Sequence, residues 1–301
     1  MRALITGGDG FVGRHLAAYV RAQGDTVTVV DAECDVTDAA AVRDVVYATA
    51  PEVIYHLAAL SSVADSWKEP IAFTRVNVLG THHVLDAARE IEGCATVVVS
   101  SADVYGVVDE ADLPLDETHP PSPASPYAQS KLEAEGFARR AAREGQRVLI
   151  VRPFPHLGPG QSTRFVVPAL AARLLDARER GLSAIAVGDL RARRDYTDVR
   201  DVVRAYRLVS EFGRSGDIYH VASGVDVELA AIAALLAQRL DLEVSFEVDP
   251  ALLRPVEVPI LRGSAAKIHD VAGWEPVITL SQSLDDVIRD VEERRRAGTL
   301  S

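Results

Sequence analysis

Leu4-Ile5-Thr6-Gly7-Gly8-Asp9-Gly10-Phe11-Val12-Gly13 is the stretch on which the reading of this chain turns. The apolar run Ala3–Ile5 breaks into glycines, and an amphipathic helical pattern begins at Phe11. Gly7, Gly10 and Gly13 fall in a G-x-x-G-x-x-G spacing. Gly7 permits a tight turn out of the strand, Gly10 lets the backbone approach a pyrophosphate, and Gly13 lets the helix pack close to the sheet. The helix N-terminus adds N–H donors and a positive dipole for the anion. Glycine turns between strand and helix are common, so the surroundings decide. Asp31 ends the next apolar run, Val27–Val30, roughly 20 residues further on, where a ribose-binding carboxylate belongs. A dinucleotide site is expected here.

With 301 residues, of which 48% are hydrophobic, the chain can build one large domain or a main domain with a smaller lobe. No apolar run reaches the ~18 residues of a membrane span. The N-terminus enters a strand directly, without the basic region and cleavage site of a signal peptide. Cys34 and Cys94 offer neither a disulfide framework nor metal-ligand spacing. A cytoplasmic protein with two incidental thiols and no metal is expected. The net charge of −12 argues against nucleic acid or an anionic membrane as partner. Only three residues are lysine, Lys68, Lys131 and Lys267.

Strand and helix patterns alternate along the chain, which predicts a doubly wound parallel sheet of the Rossmann kind, helices on both faces, with a small C-terminal α/β lobe. Strands are expected at Arg2–Thr6, Thr26–Val30, Val53–Leu57, Ala95–Ser100 and Gln146–Val151. Helices are expected at Phe11–Gln23, from Thr37 or Asp38 to Ala48, at Pro70–Ile91 and from Ser125 to Arg143. The Pro- and Asp-rich 107–126 segment reads as a surface loop. The dinucleotide domain is placed at 1–163, with a return of the chain at about 184–222. Segments 164–183 and 223–301 form the substrate lobe. Arg294-Arg295-Arg296 matches the dipole at a helix C-terminus.

Tyr127-Ala128-Gln129-Ser130-Lys131 is the second informative stretch. On a helix, i and i+4 share a face, so phenol and ammonium point into one space. A nearby ammonium lowers a phenol pKa, as proton exchange near neutral pH requires. Eight tyrosines and three lysines would give this spacing about 0.08 times by chance. A compact ammonium also suits a ribose hydroxyl better than a guanidinium fork does. Ser100-Ser101-Ala102-Asp103-Val104-Tyr105-Gly106 follows the fourth strand, at the edge where open parallel sheets bind ligands. A serine there can bond a substrate carbonyl and share its proton with Tyr127, although a Ser pair before a turn is more often plain capping chemistry.

The glycine loop and the Ser101, Tyr127 and Lys131 set resemble the extended short-chain dehydrogenase/reductase family, which includes nucleotide-sugar epimerases, dehydratases and reductases. The resemblance extends nearly end to end, through His56-Leu57-Ala58-Ala59, Val76-Asn77-Val78-Leu79-Gly80-Thr81 and Arg152-Pro153-Phe154. Gly158-Pro159-Gly160-Gln161-Ser162, Arg164-Phe165-Val166-Val167-Pro168, the run from Arg194 to Tyr206 and Arg254-Pro255-Val256-Glu257-Val258-Pro259 complete it. Within the family the chain resembles the GDP-6-deoxy-D-mannose (GDP-4-keto-6-deoxymannose) reductase group.

The resemblance implies cofactor contacts from Gly7, Gly10, Phe11, Val12, Gly13 and Asp31, from Asp35 and Val36, and from Leu57, Ala58, Ala59 and Asn77. Tyr127, Lys131 and Pro153 complete that set. It implies substrate contacts from Ser61, Ser62, His156, Arg194 and Arg254, the two arginines gripping the nucleotide diphosphate, and a catalytic or substrate role for Asp103. It also implies a homodimer through helices Pro70–Ile91 and Ser125–Arg143, unless Val84, Leu85, Ala88, Leu132 and Phe137 all face the subunit's own sheet.

Three departures from the group's pattern matter. Pro155-His156 replaces the usual Asn-His, Gly188-Asp189-Leu190 carries Asp where Asn is frequent, and Ala102 stands where dehydratases carry an acid. The expected activity is reduction of the C4 ketone of a GDP- or dTDP-linked 4-keto-6-deoxyhexose. The rivals are a 4-epimerase, a 4,6-dehydratase, and a cofactor-binding regulator without turnover. Asp31 would repel a 2′-phosphate, and Ala32 and Glu33 supply no base, so NAD(H) is favoured with NADP(H) possible.

Overall fold

The computed structural model describes residues 1–253, 256 and 258–300. Six parallel strands form its central sheet: β1 Arg2–Thr6, β2 Thr26–Val30, β3 Val53–His56, β4 Ala95–Val99, β5 Arg147–Pro153 and β6 Ile218–Val221. Their spatial order is β6-β5-β4-β3-β1-β2. These segments are short runs rich in Val and Ile with both faces covered, the composition that buried parallel strands need. Alternation along each strand divides the side chains. Ala3, Ile5, Tyr55, Val97, Leu149 and Val151 face helices Phe11–Ala22 and Val199–Phe212. Leu4, Ile54, Val98 and Ile150 face the opposite layer, built by Ala39–Thr49, Gly80–Arg89 and Pro126–Arg143.

The chain runs outward from β1 to β2 and then returns to place β3 on the other side of β1. That reversal opens a crevice at the carboxyl ends of β1 and β3, the place where open α/β sheets bind ligands. His56 closes its floor. Its Nδ1 lies 2.8 Å from Thr6 Oγ1 and its Nε2 3.0 Å from Thr81 Oγ1, and burial pushes its pKa down to about 3, so it is neutral.

A second core lies outside the sheet. Helices Val166–Arg180, Leu229–Arg239 and Leu280–Arg296 meet through Leu170, Leu174, Ile232, Leu236, Leu284 and Val287. Beside it, Arg193–Asp195 is the middle strand of a three-stranded sheet between Asp226–Glu228 and Ile260–Leu261. No helix among the described residues is long and apolar enough to cross a membrane.

Four expectations require correction. The return at about 184 comes too early, because Ala184–Val187 pairs with Ser245–Val248 beside the second core; helix Val199–Phe212 and β6 rejoin the sheet, and Ile268 and Trp274 join its core later in the chain. The 107–126 segment is not wholly a surface loop. Leu115 is 1% exposed, exchanges backbone hydrogen bonds with Arg262 and Ser264, and packs with Phe154 and Leu261.

The Pro70–Ile91 helix is not uniform either. Pro70–Phe73 and Gly80–Arg89 are α-helical, and Thr74–Leu79 between them is a π-helix. The wider π turn rotates Asn77 inward. Finally, Val84, Leu85 and Ala88 are buried in their own subunit, and Leu132 and Phe137 pack partly against its cores, so these five do not make a free docking face.

Candidate active site

The glycine loop makes the tight turn and the close helix packing that its spacing implies. Gly7 has φ of +70°, and a Cβ there would stand 2.6 Å from the Ala58 amide nitrogen, so β1 and the loop after β3 touch only because Gly7 has no side chain. A Cβ on Gly13 would stand 2.4 Å from the Gly7 carbonyl oxygen. Gly10 is the N-cap of Phe11–Ala22 and no side chain caps that helix, leaving the first-turn N–H groups of Phe11, Val12 and Gly13 without a side-chain acceptor. A Cβ on Gly10 would meet nothing beyond the Gly7 carbonyl, at 3.1 Å, so this backbone faces open space. A glycine cradle over an uncapped helix N-terminus fits a dinucleotide pyrophosphate.

Asp31, at the end of β2, accepts the Asp9 amide N–H on Oδ2 at 2.9 Å and so lies against the loop. Asp35 Oδ1 accepts the Thr37 amide at 2.9 Å, which holds its carboxyl below the usual value. Val36 is buried, and Gly80 lies against it where a Cβ would be 2.7 Å from its side chain. Leu57, Ala58 and Ala59 are half-buried and line the loop facing the cradle. Asn77 spends its amide on that loop: its Oδ1 accepts the Leu60 N–H at 2.8 Å, and its Nδ2 donates to the Leu60 carbonyl at 3.0 Å and to Ser130 Oγ at 2.9 Å. The π turn therefore clamps the loop after β3 to the Tyr127 helix.

Ser125 caps that helix by accepting the Ala128 N–H at 3.1 Å, and Pro126 occupies its first turn. Both fix where Tyr127 emerges. Tyr127 is 8% exposed, Lys131 7% and Ser101 8%, so each of the three stands almost out of water. Ser101 does act as a cap, accepting the Asp103 N–H on Oγ at 3.1 Å, and it also sits beside the phenol. Burial, with the Asp103 carboxylate added, raises the Tyr127 pKa above its ordinary value, against a smaller downward pull from Ser101. The expected lowering by Lys131 is thus not met here. The Lys131 Nζ instead donates to the Val99 carbonyl at 2.9 Å, and burial pushes its pKa down to about 8 while Glu135 works upward.

The substrate-side residues are more scattered. Ser61 is exposed, and Ser62 caps the short helix Val63–Ser66 by accepting the Asp65 N–H at 3.2 Å. Pro153 ends β5, and His156 stacks on Phe11 with rings 6.1 Å apart and 9° from parallel. That stack sets His156, expected on the sugar side, against the first residue of the cradle helix. Arg194 lies half-buried in the middle strand of the three-stranded sheet and donates from Nη1 to the Arg193 carbonyl at 2.9 Å. Asp189 is held by Arg191, whose Nη2 reaches its Oδ2 at 2.7 Å. Arg254 lies outside the described residues.

Sequence reasoning passed over Glu135, Tyr105 and the partner of Arg152. Glu135 follows Lys131 by four residues, so the stripe Tyr127-Lys131-Glu135 was its signal. It is 0% exposed and binds Arg152 through two hydrogen bonds of 2.7 Å.

Glycine cradle, ribose-side carboxylate and a buried Ser, Tyr and Lys set define a nucleotide-dependent short-chain dehydrogenase/reductase. The chain belongs to the family described as GDP-mannose 4,6 dehydratase, whose model matches residues 32–287. It is 39% identical over 302 residues to GDP-6-deoxy-D-mannose reductase of Pseudomonas aeruginosa, covering 98% of each chain. It is 29% identical to GDP-6-deoxy-D-talose 4-dehydrogenase of Aggregatibacter actinomycetemcomitans, over 91% of this chain and 92% of that one. Among solved structures, RMD from Pseudomonas aeruginosa complexed with NADPH matches with a TM-score of 0.89 at 36% identity, over 98% of this chain and 100% of that one. UDP-glucose 4-epimerase of Thermus thermophilus, in complex with NAD, matches with a TM-score of 0.87 at 28% identity, over 97% and 99%.

Proposed function

We propose that the protein reduces the C4 ketone of a nucleotide-linked 4-keto-6-deoxyhexose, GDP-linked by preference, to the nucleotide 6-deoxysugar. The observation that carries the reading is the placement of Tyr127 and Lys131 on one buried helix face beside Ser101, at the carboxyl ends of the strands. The similarity to a GDP-6-deoxy-D-mannose reductase supports the sugar and the base.

A bound reduced nicotinamide dinucleotide supplies the hydride. Ser101 donates a hydrogen bond to the C4 oxygen and holds it against Tyr127. Tyr127 gives its phenolic proton to the oxygen as negative charge develops there, and its raised pKa keeps that proton in place until then. Lys131, charged below about pH 8, stabilises the phenolate that results and binds the nicotinamide ribose. Near-exclusion of water strengthens each of these interactions. Arg194 and Arg254 grip the diphosphate, Ser61, Ser62 and His156 line the sugar side, and the second core carries the substrate lobe.

Asp31 and its neighbours favour NADH, with NADPH accepted; the NADPH bound to the similar Pseudomonas enzyme makes the choice a matter for kinetics. A cytoplasmic homodimer belongs to the same reading. It rests on helices Gly80–Arg89 and Pro126–Arg143, the pair through which the resemblance implies that two subunits meet. Light scattering at micromolar concentration tests it, and a monomer rules it out.

The test of function is net consumption of NADH or NADPH by purified protein with GDP-4-keto-6-deoxymannose. Tyr127→Phe is expected to lower the rate by about 10²-fold or more while cofactor binding survives. Redox-neutral turnover of a sugar nucleotide identifies an epimerase or a dehydratase instead, and cofactor binding without turnover a regulator.

A further inference from the structure

Beneath the Ser101, Tyr127 and Lys131 set lies a chain of buried polar groups. Glu135 Oε1 accepts from Ser100 Oγ at 2.6 Å and from Arg152 Nε at 2.7 Å. Its Oε2 accepts from Arg152 Nη2 and Arg139 Nη2, both at 2.7 Å. All four acceptor positions of the carboxylate are thus filled, and it cannot rotate. Arg152 sends its remaining arm, Nη1, to the Tyr105 hydroxyl at 2.6 Å, and its guanidinium lies 4.8 Å from the centre of the Tyr105 ring. Tyr105 ends the short helix Ala102–Tyr105, which Ser101 caps. Its hydroxyl is also 2.5 Å from His220 Nε2 on β6.

One ion pair therefore joins three pieces. Glu135 stands on the Tyr127–Lys131 helix, Arg152 on β5 next to Pro153, and Tyr105 at the far end of the Ser101 turn. Arg152 is 1% exposed and Glu135 0%. A pair so deep is about break-even in stability against well-packed apolar side chains, so stability gives little reason to keep it. Its geometry gives a better one. A bidentate fork fixes distance and angle together, which apolar contacts at the same positions do not.

We propose that Glu135 and Arg152 are positioning residues for the reduction: through Tyr105 and Ser100, their ion pair holds the Ser101 turn in register with the helix face that carries Tyr127 and Lys131. This rests on the catalytic roles proposed above for those three residues.

The test compares the double variant E135M/R152M, which replaces the pair with unbranched apolar side chains, with R152K, which keeps the charge but loses the fork. Both are measured beside Y127F in the full-length enzyme. Positioning requires that kcat fall by about 10- to 100-fold in both variants, as a displacement of about 1 Å does. KM for the sugar nucleotide, cofactor affinity and folded fraction are expected to stay close to wild type. The primary isotope effect with a C4-deuterated reduced cofactor is expected to rise, because hydride transfer becomes slower than product release.

An unchanged kcat in a folded double variant overturns the proposal. So does a loss of activity matched by loss of cofactor binding or of folded protein, in either variant, because the pair is then a stability element. Should Y127F keep full activity, the catalytic reading itself has failed. Should Y127F be inactive and the double variant active, only the positioning role has failed.

Discussion

Lys131 donates its ammonium to the Val99 carbonyl at 2.9 Å, binding the Tyr127 helix to the end of β4. The bond holds a charge almost out of water, and burial pushes the Lys131 pKa from 10.5 down to about 8. Between those two values the folded protein binds fewer protons than the unfolded chain, so on this account stability rises with pH through that window. Below it the buried ammonium is a standing penalty. Lys131→Met is expected to raise the thermal midpoint of the ligand-free protein at pH 7 by about 2 °C or more, less what the orphaned Val99 carbonyl takes back. The gain disappears at high pH, and turnover falls by about 10²-fold or more. Thermal melts of both proteins across pH check the trend; an advantage that does not depend on pH would contradict it.

Asp31 is expected to set cofactor choice. Its carboxylate lies against the glycine loop through the Asp9 N–H, and a 2′-phosphate at that ribose would meet it directly. Asp31→Ser should move the ratio of kcat/KM for NADH over NADPH toward NADPH by about 10-fold, equivalent to about 1.4 kcal/mol. A wild-type enzyme that already prefers NADPH would remove Asp31 as the determinant.

Gly7 and Gly24 separate two costs of a side chain. Both have positive φ, +70° and +85°, but a Cβ on Gly24 meets nothing within 4 Å, whereas one on Gly7 meets the Ala58 backbone at 2.6 Å. Gly24→Ala should cost only the backbone strain, about 1 kcal/mol, with catalysis intact. Gly7→Ala adds a backbone collision and is expected to abolish cofactor binding. Denaturant melts and fluorescence titration with NADH read the two effects apart.

The protein is expected not to dehydrate GDP-mannose or dTDP-glucose. Elimination across C5 and C6 needs an acid for the departing hydroxyl and a base for the C5 proton. Ala102, where the acid would stand, is 0% exposed and packed with Val104, Leu115 and Phe154. Alanine cannot donate that proton, and a ketone reduction needs only the Tyr127 proton. A 4-keto product formed from either parent sugar nucleotide at an ordinary enzymatic rate would contradict this.

The sequence by itself determined the alternation of strands and helices, the glycine cradle, and the Tyr127–Lys131 pair. Each is written in short-range pattern: brief apolar runs, period 3.6, three glycines, an i,i+4 step. Asp38 and Ser125 were legible as helix starts for the same reason, since a cap acts within three residues of itself.

Other features depended on partners distant in the chain. Ala184–Val187 looks like any sheet strand, and only its pairing with Ser245–Val248 assigns it to the second core. Val84, Leu85 and Ala88 could equally have faced another subunit until the sheet claimed them. The upward shift of Tyr127 and the orientation of Lys131 toward Val99 follow from burial, which a helix does not possess until other elements cover it. The Glu135–Arg152 pair joins a helix to a strand, and neither residue marks the other locally. Spacing along the chain can place two groups on one face, but their exposure to water and the charges opposite them belong to the tertiary structure.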